Sequence, residues 1–503
     1  MRVVGLIVLL ALASAATRVS CNLLWGHSPT IECLLHGELA KEGHGVDKLA
    51  RSYSAGYEDI GGGAKRAMLL VRDPSGGLLS RSKYSANAFN AIYAGIKVEN
   101  NGPAVYTVGT QQTGNFFNPA NLLITRWLPG SGTAWTNPVN SNSKIYTPTQ
   151  LGLVGIEAWG CRVIRASATD LFVSGCTDVE LFVARIDRAT LSLVTTWGVN
   201  GVRSVASITP GGCPKHGMPG GFVDFGGFYP TSFIEITGTS LYLGGTLMND
   251  LGGVPIDYDF VVAGFDVNTS APTPFGVRYS RVLGDDYMKA LAVNPAGVYG
   301  VGTLDPFNVP QMLLIPWEHS GTTRPPFVIL EPTPSKGNDV EVTIAGSNCE
   351  IYVGGYGGTS GATWHYTHTL TPFSTVTLPA LWSGGASGPN PKTYGPLTAV
   401  TDEVYDIGLG RGAFAGYVFS AGGVFFAPGQ YGQPLQCIAP TGVVLFSNNP
   451  TPLAPSDDRA VAVVYHTASG GTVYTHGTAF DPGPNTFLNC PNHWTARNSR
   501  YKP

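Results

Sequence analysis

The sequence predicts an all-β fold, a β-propeller of about seven, or eight, four-stranded blades with a short N-terminal extension. Three observations predict it. The chain contains 66 Gly and 37 Pro in 503 residues, which favours many short strands joined by turns over helical bundles. A short strand pattern recurs along most of the chain. Each copy is accompanied by further strand patterns in a fixed order, so the repeat is larger than one strand.

The recurring pattern is a run of mostly apolar residues that ends in glycine and a small residue. The glycines near the ends of successive copies keep a long spacing: Gly109 follows Gly56 by 53 residues, and Gly245 follows Gly175 by 70. Such a period is typical of repeat folds, in which each unit covers the apolar face of its neighbour. The eight copies span residues 52–57, 105–110, 171–176, 241–246, 298–303, 351–356, 404–409 and 473–478.

The segments around each copy complete a blade. An apolar stretch such as 460–464 lies upstream, separated by a turn, which is typical of a hairpin. A strand that is apolar at successive positions, such as 181–187, lies downstream and indicates cover on both faces. A more polar segment, 192–197, is interpreted as the fourth strand. Four short antiparallel strands per repeat describe a propeller blade.

The chain ends decide how many blades there are. Eight copies give eight blades if the ends pair to complete one, whereas residues 52–57 used as a closing strand leave seven, the number favoured here. The last repeat, 459–490, offers three strands, so strand exchange between the termini would close the ring and remove an exposed edge. The predicted organisation is residues 1–16 as a signal peptide, 17–50 as an N-terminal extension, 51–490 as the propeller and 491–503 as a C-terminal tail.

One copy resembles a known repeat family. Residues 171–202 read Leu-Phe-Val-Ser-Gly, then Leu-Phe-Val-Ala-Arg-Ile-Asp, then Trp-Gly-Val-Asn-Gly-Val. This stretch resembles the delta-60 repeat found in β-propellers of secreted and surface proteins. Over residues 51–490 the spacing of the copies agrees with that family, although in most copies the polar turn between the third and fourth strands has a different sequence. The resemblance implies a propeller of about seven blades and no particular activity.

The N-terminus predicts the compartment. Arg2, the apolar run 3–13 and the small residues 14–16 have the three parts of a secretory signal peptide. About eleven apolar residues are too few to cross a hydrocarbon core of ~30 Å, which needs ~20. We therefore expect a protein that is secreted, extracellular or on the cell surface, with no membrane span. The formal net charge of −3 argues against a nucleic-acid partner.

Cysteines and one glycosylation motif fit that compartment. An even number of cysteines favours disulfides in an oxidising environment. Cys21 with Cys33 and Cys161 with Cys176 would each close a short loop, and Cys437 with Cys490 would staple the C-terminal region, although connectivity is not encoded in spacing. Asn268 heads an Asn-Thr-Ser acceptor for N-glycosylation. The eight disulfide candidates are Cys21, Cys33, Cys161, Cys176, Cys213, Cys349, Cys437 and Cys490.

Catalytic motifs are missing from the sequence. It contains no Gly-x-Ser-x-Gly, no His-Glu-x-x-His and no phosphate-binding Gly-x-x-x-x-Gly-Lys-Ser/Thr. Residues 408–412, Gly-Leu-Gly-Arg-Gly, resemble a dinucleotide-binding loop, but no helix pattern follows, so we interpret them as a turn. No catalytic residue is predicted.

Metal-ligating residues are equally sparse. His365 and His368 are three apart in an extended segment, which would put them on opposite faces. His466 and His476 are interpreted as a cross-strand pair. No metal residue is predicted and no cofactor is expected, Ca²⁺ being the one ion that acidic pairs beside turns would suit. These pairs are Asp257 with Asp259, Asp285 with Asp286, and Asp457 with Asp458.

Two functions from different classes remain. The first is a secreted, non-catalytic structural or interaction module of an extracellular assembly, whose partners are other extracellular proteins, copies of itself or a surface polysaccharide. Charged residues are 13% of the chain, against ~25% in typical soluble domains, which suits a surface covered by partners. Segments 220–229 and 420–431 are candidate contact surfaces or, alternatively, interior packing of the blades. The alternative is a carbohydrate-active enzyme or lectin with its site at the channel mouth, which would leave no local motif.

Overall fold

The described residues form eight four-stranded antiparallel blades. The computed structural model describes residues 22–26, 44–61, 64–84, 90–99, 104–112, 119–130, 135, 139–165, 167–177, 179–206, 232–250, 255–279, 285–305, 309–322, 329–330, 334–370, 376–377, 392–394, 402–427, 430–432, 435–448, 457–466, 471–480 and 494–502. The predicted β-propeller is thereby confirmed, with eight blades instead of the favoured seven. No helix in this part of the chain is long and apolar enough to span a membrane.

The blades follow one another along the chain, numbered here from 1 to 8. The first strand among the described residues is β1 (Asn22–Gly26), which belongs to blade 8. Blade 1 consists of β2 (His44–Val46), β3 (Ser52–Gly61), β4 (Ala64–Arg72) and β5 (Leu78–Lys83), and blade 2 of β6 (Asn90–Val98), β7 (Val105–Gln112), β8 (Ala120–Leu128) and β9 (Val139–Tyr146). Blade 3 consists of β10 (Ala158–Arg165), β11 (Asp170–Thr177), β12 (Glu180–Asp187) and β13 (Val202–Ala206), and blade 4 of β14 (Ser232–Thr237), β15 (Ser240–Asp250), β16 (Pro255–Asp266) and β17 (Pro272–Tyr279).

The second half of the ring has the same order. Blade 5 consists of β18 (Asp285–Asn294), β19 (Gly297–Asp305), β20 (Gln311–Trp317) and β21 (Ile329–Leu330), and blade 6 of β22 (Ser335–Ala345), β23 (Asn348–Gly357), β24 (Ser360–Thr369) and β25 (Lys392–Tyr394). Blade 7 consists of β26 (Glu403–Leu409), β27 (Val418–Ala427), β29 (Leu435–Ile438) and β30 (Val444–Asn448), with the short β28 (Gln430–Gly432) beside β27. Blade 8 consists of β31 (Asp457–His466), β32 (Thr472–Phe480), β33 (Trp494–Lys502) and β1. Short 3₁₀ turns occupy Thr149–Leu151 and Gly412–Phe414.

The two chain ends close the ring by strand exchange. β1 pairs antiparallel with β33, so the N-terminal strand completes the last blade, as the missing fourth strand predicted. The Tyr474 hydroxyl of blade 8 donates to the Ala50 carbonyl oxygen at 3.0 Å, which ties this blade to blade 1. Two predictions need correction: the extension 17–50 contributes β1 and β2 to blades, and the tail 491–503 contains β33. Ring closure gives the last blade the fourth strand that it would otherwise lack, and the outer strands of the blades stay as short edges.

The recurring sequence pattern is the second strand in all blades but one. The exception is the copy at 404–409, which belongs to β26, the first strand of blade 7. In that blade the second strand is β27, whose sequence Val-Phe-Ser-Ala-Gly also matches the pattern. The segment 192–197, predicted as a fourth strand, lies in the connection after β12, and the fourth strand is β13. The first error arose because β26 and β27 share the same apolar spacing.

A β-bulge in the first strand explains the glycine of the pattern. Six of the eight first strands, β6, β10, β18, β22, β26 and β31, carry one unpaired residue where they face the second strand. The bulge pushes a carbonyl oxygen towards the second strand. A Cβ on Gly355 would lie 1.8 Å from the Lys336 carbonyl oxygen, and one on Gly109 would lie 2.0 Å from that of Ile92. Only glycine fits at such a distance, because it has no Cβ.

Large aromatic side chains fill the spaces between blades. Trp197 is 1% exposed and packs on Phe172 with ring centroids 5.0 Å apart, within an apolar cluster that joins blades 3 and 4. Its indole N–H donates to the Asp266 carbonyl oxygen of blade 4 at 3.4 Å. Aromatic residues at this place combine a large buried apolar area with one satisfied polar atom. The core is therefore a series of interfaces between blades.

In blades 3 and 4 the turn between the third and fourth strands links the blade to the one before it. In blade 3 the Asp187 carboxylate accepts from the amide and hydroxyl of Thr190, each at 2.7 Å, and Leu191 then adopts a φ of +56°. Asp266 organises the same turn in blade 4. The Tyr146 hydroxyl of blade 2 donates to the Leu191 carbonyl oxygen at 2.6 Å. The turn of blade 3 therefore joins this blade to blade 2.

The predicted disulfide between Cys161 and Cys176 is not formed, and both side chains are buried thiols. The register gives the reason. Cys176 lies opposite Trp159, whereas Cys161 is the unpaired residue of the β10 bulge, so the two are offset along the ladder. A disulfide needs Cβ atoms about 3.5–4.5 Å apart, which directly opposed positions supply. Cys349 and Cys437 are buried thiols too.

The other cysteines and the signal peptide stay predictions. Cys21, Cys33, Cys213 and Cys490 lie outside the described residues, as do residues 1–16. The pairing of Cys21 with Cys33 is therefore untested. Cys437 is a thiol in β29, and its suggested partner Cys490 falls in an undescribed segment.

Candidate functional site in the central channel

First strands line the axis of the ring. They surround a cavity of about 420 Å³, to which seven of the eight blades contribute residues on or next to their first strands. The cavity lies towards the ends of these strands, since its lining includes the last residues of β26 and the adjoining Gly410 and Arg411. The dinucleotide-like segment 408–412 is therefore the end of a channel strand followed by a 3₁₀ turn, in agreement with its interpretation as a turn.

Charged side chains of the cavity wall join one blade to the next. Asp339 accepts a hydrogen bond from the Ile407 amide at 2.8 Å, and Asp406 accepts one from the Val463 amide at 2.6 Å. Both carboxylates are buried. Hydrogen bonds to a charged acceptor are stronger than neutral ones, and a buried amide left without an acceptor is costly. These two carboxylates therefore hold blades 6, 7 and 8 together at the axis.

An ion pair makes the corresponding link between blades 3 and 4. The Arg162 guanidinium of β10 lies 2.7 Å from the Glu235 carboxylate of β14, with both side chains partly exposed to the cavity. Arg162 directly follows the β10 bulge, as Asp339 and Asp406 follow the bulges of β22 and β26. The residue after the bulge is thus the position from which one first strand reaches the next.

A second charged group lies where the first strands begin. Lys336 of β22 donates to the Glu403 carboxylate of β26 at 2.9 Å. Asn338 donates to the same oxygen at 2.7 Å and to the Val404 carbonyl oxygen at 2.8 Å. Glu403 is the first residue of its strand and Lys336 the second of its own, which places this group at the opposite end of the channel from the cavity.

Lys289 brings a second ammonium group to this end of the channel. It is the unpaired residue of the β18 bulge, between the pairs of Met288 and Ala290. The pKa of the Lys289 ammonium group is lowered to about 7, mainly by burial and also by the nearby charge of Lys336, while Glu403 acts in the opposite direction. Two ammonium groups this close disfavour the charged form of one of them. At neutral pH a fraction of Lys289 is therefore uncharged.

Two tyrosines lie near Lys289. The ring centroids of Tyr258, on β16, and Tyr287, on β18, are 5.2 Å apart with a tilt of 35°. The Lys289 Nζ lies 5.8 Å from the centroid of the Tyr287 ring. Both rings are partly exposed. We call Tyr258, Tyr287, Lys289, Lys336 and Glu403 the entrance cluster. It combines aromatic faces with two cations and one carboxylate.

The histidines singled out in the sequence serve structural contacts. His365 stacks on Tyr352 with ring centroids 4.4 Å apart and pairs with Glu350, whereas His368 contacts the Tyr299 hydroxyl of blade 5 at 2.7 Å. They lie on opposite faces of β24, as predicted. The cross-strand pairing of His466 with His476 is wrong, because the register sets His466 opposite Thr472 and His476 opposite Ala462. The register is unbroken from His466 to Ala462, so the position of the turn between β31 and β32 alone sets the two histidines four pairs apart.

The acidic pairs lie at strand beginnings. Asp259 and Asp286 are buried in β16 and β18, while the side chains of Asp257, Asp285, Asp457 and Asp458 are not among those described. Within the described part of the chain, no three His, Cys, Asp or Glu side chains converge as a metal site would require. Burial inside a strand places Asp259 and Asp286 away from the exposed turn expected for a Ca²⁺ site.

The remaining sequence candidates lie away from the channel. Asn268 is exposed in the turn after β16, where its amide donates to Asp266 at 2.9 Å, and its glycosylation stays a prediction. Segment 420–431 begins inside β27, and Ser420 and Ala421 are buried in blade 7. Its first residues are therefore interior packing rather than a contact surface. Segment 220–229 lies outside the described residues.

Sequence reasoning missed every member of the entrance cluster. One signal was available for Lys289: it is a lone charge directly before the apolar run Ala-Leu-Ala-Val of a channel strand. No comparable signal exists for Lys336, Glu403 and the tyrosines, because these residues lie on strands of four different blades.

No protein-family model and no curated protein matches the chain. The delta-60 resemblance therefore stays a prediction. Among solved structures, the Dos1 propeller is 9% identical, covering 96% of this chain and 95% of its own with a TM-score of 0.49. The polysaccharide lyase Uly1 is 10% identical over 95% and 92% of the two chains, with a TM-score of 0.43. A subtype N10 neuraminidase-like protein of A/little yellow-shouldered bat/Guatemala/060/2010 is 9% identical over 67% and 90%, with a TM-score of 0.32. These similarities carry no argument about function.

Proposed function

We propose that this protein is a secreted, non-catalytic β-propeller that serves as a structural or interaction module of an extracellular assembly, such as a cell-surface layer, matrix or filament. The observation that carries the proposal is that charged side chains of the cavity wall bind groups of the neighbouring blade. Asp339 and Asp406 each accept a backbone amide of the next blade, and Arg162 pairs with Glu235. Such links favour a rigid closed ring, which suits a building block. The chain is also poor in charge, at 13%, which suits extensive contact with partners.

The test is the state of the mature protein as the cell secretes it. Electron microscopy and analytical ultracentrifugation of native material would reveal ordered filaments, arrays or a stable complex with another protein. Mass analysis of the same sample would report whether residues 1–16 are removed and whether Asn268 carries a glycan. Isolated propellers that stay monomeric at high concentration and hydrolyse a polysaccharide would overturn the proposal.

A second candidate is carbohydrate binding at the channel mouth, either as a lectin or as an enzyme. The observation that favours it is the partly exposed pair of Tyr258 and Tyr287 beside Lys289, since aromatic rings pack against the C–H groups of sugar rings. A glycan array probed with the mature protein tests binding, and release of reducing ends from the bound polymer tests catalysis. Binding without release identifies a lectin.

A further inference from the structure

We propose that copies of this chain stack end to end, with an acidic surface at one end of the ring contacting a basic surface at the other end of the next copy. This inference rests on the proposed function, because it names the partner and the contact through which the propeller builds an assembly. The end at which first strands begin is here called the entrance end, and the opposite end, where the cavity lies, is called the cavity end.

Charge is divided unevenly around the ring. Blades 1 to 3, residues 44–206, contain 15 Lys and Arg against 10 Asp and Glu, a net charge of +5. Blades 4 to 7, residues 232–448, contain 7 Lys and Arg against 16 Asp and Glu, a net charge of −9. Consecutive blades pack against each other, as the apolar clusters between blades 2 and 3 and between blades 3 and 4 show. The division along the sequence therefore places opposite charges on opposite sides of the ring.

Ten acidic residues of blades 4 to 8 lie at the entrance end. First and third strands begin at this end and second strands finish there, so the position in the strand places each residue. Three of the ten, Asp259, Asp286 and Asp402, are buried. The other seven define the acidic surface: Asp250, Asp257, Asp285, Asp305, Glu403, Asp457 and Asp458. Four basic residues of the described strands lie near the same end: Arg278, Lys289, Lys336 and Arg459.

Basic residues prevail at the cavity end of blades 1 to 3. Three ion pairs at this end cancel their own charges, with N–O distances of 2.6, 3.0 and 2.6 Å: Asp47 with Arg51, Glu99 with Arg188, and Asp170 with Arg185. Arg72 is buried. Five further basic residues define the basic surface: Lys48, Lys97, Arg126, Arg165 and Arg203. Two acidic residues, Asp73 and Asp187, lie among them, so an excess of positive charge remains.

Exposed apolar side chains accompany the charges at both ends. Leu49 and Leu78 of blade 1 and Val199 of blade 3 are exposed in or beside turns of the cavity end. Val309 is exposed in the turn before β20, at the entrance end of blade 5. In protein interfaces, apolar contact contributes affinity, whereas complementary charges guide encounter and fix the orientation. Both ends therefore combine the two kinds of group that an interface uses.

A second copy of the chain is the occupant that fits both surfaces. They lie at opposite ends of one molecule, so a contact that covers one surface leaves the other open to the next copy. Such a heterologous contact builds open filaments unless the rotation closes it. Blades 1 to 3 and blades 4 to 8 lie on opposite sides of the ring, so successive copies are rotated about the axis. An acidic polymer would fit the basic surface alone and would be repelled by the acidic one.

Sedimentation velocity of the full mature protein, with electron microscopy of the same samples, tests the inference. We expect association that increases with protein concentration at low salt and weakens as the Debye length falls from about 10 Å at 0.1 M salt to about 3 Å at 1 M. Micrographs should show rings stacked along their axes. A protein that stays monomeric at low salt, or whose association is the same at both salt concentrations, would overturn the inference.

Lys48 offers the clearest variant because it is exposed in the turn between β2 and β3. Lys48→Gln removes the charge and should weaken association about threefold, whereas Lys48→Glu replaces attraction by repulsion and should weaken it about tenfold. Lys144→Glu makes the same change at an exposed lysine on the outer strand β9, outside both surfaces, and should leave association unchanged. Circular dichroism checks that each variant is folded. Equal effects of Lys48→Glu and Lys144→Glu would contradict the assignment.

A mixing experiment shows whether two different surfaces meet. Asp457→Lys with Asp458→Lys reverses two charges of the acidic surface and should weaken association by itself. In an equimolar mixture with Lys48→Glu, each variant contributes the surface that the other has lost, so dimers should form about as tightly as in the unaltered protein. An absence of recovery in the mixture would refute a contact between unlike surfaces.

Failure of this inference and failure of the proposed function are distinguishable. Arrays that form regardless of salt and of Lys48→Glu refute the inference and leave the structural role intact. A monomeric protein that binds dextran sulfate through Lys48 assigns the basic surface to an acidic polymer and also refutes the inference. A monomeric propeller that hydrolyses a polysaccharide refutes the proposed function itself.

Discussion

Replacing Asp406 by alanine should loosen the junction of blades 7 and 8. The carboxylate is 6% exposed and accepts the Val463 amide hydrogen bond at 2.6 Å. A hydrogen bond to a charged group contributes about 1.5–3 kcal/mol, and a buried amide left without an acceptor costs about 1–3 kcal/mol. These two figures describe the same loss from different reference states and are not added. We therefore expect Asp406→Ala to lower the free energy of unfolding by about 2–3 kcal/mol.

Asp406→Asn is the matched control. The amide oxygen of asparagine can still accept from Val463, so the geometry survives and only the charge is lost. The neutral bond should retain roughly half of the stabilisation, since bonds to charged acceptors are about twice as strong as neutral ones. The asparagine variant should accordingly lose about 1 kcal/mol.

Native-state hydrogen exchange read by mass spectrometry measures the effect where it occurs. A loss of 2–3 kcal/mol corresponds to exchange of the Val463 amide that is roughly 30- to 150-fold faster, whereas amides of blade 3 should be unaffected. Urea unfolding followed by tryptophan fluorescence gives the global value. The reasoning is refuted if Asp406→Ala leaves the exchange of Val463 unchanged, or if the alanine and asparagine variants lose the same stability.

Three further changes probe other features of the ring. Trp197→Ala, which empties the aromatic site between blades 3 and 4, should cost about 3–5 kcal/mol in a urea titration, and Trp197→Phe should lose clearly less. Gly355→Ala should reduce the yield of folded protein, judged by circular dichroism, because its Cβ would meet the Lys336 carbonyl oxygen; Gly358→Ala, whose Cβ would contact nothing within 4 Å, is a milder comparison despite its φ of +66°. Hydrogen bonds from the Thr190 hydroxyl and amide hold the pKa of Asp187 below its ordinary value. The stability that Asp187 contributes should therefore be present above about pH 4 and be lost as the pH falls through the lowered pKa, so thermal unfolding of Asp187→Ala and the unaltered protein should converge in acid and differ at neutral pH.

The sequence was sufficient for the architecture because a propeller repeats one local pattern. In six of the eight blades the second strand has a glycine opposite the bulged first strand, as at Gly109 and Gly355, and this local requirement is what makes the repeat visible in the sequence. The exact role of each copy was harder to assign. Residues 404–409 and 418–422 both match the pattern, and only the pairing of β26 with β27 shows which is the first strand.

The candidate site could not be predicted because no segment contains it. Lys289, Lys336 and Glu403 are separated by 47 and 67 residues and meet only where three first strands converge. The disulfide prediction failed for the opposite reason, because residues that are close in sequence need not be aligned in the fold. Cys161 and Cys176 are close in sequence and lie on paired strands, yet one bulge residue removes the register that a disulfide needs.

The bulge connects the architecture of the ring with its chemistry. It leaves one residue of a first strand outside the ladder, and that side chain is not required for pairing with the second strand. The unpaired residue is Ala94 in blade 2 and Cys161 in blade 3, but Lys289 in blade 5 and Asn338 in blade 6. These blades therefore share the bulge while the side chain of its unpaired residue varies, and the polar residues Lys289 and Asn338 occur in the adjacent blades 5 and 6. A ligand that recognises this channel should accordingly contact one side of the ring, at blades 5 to 7, rather than bind symmetrically about the axis.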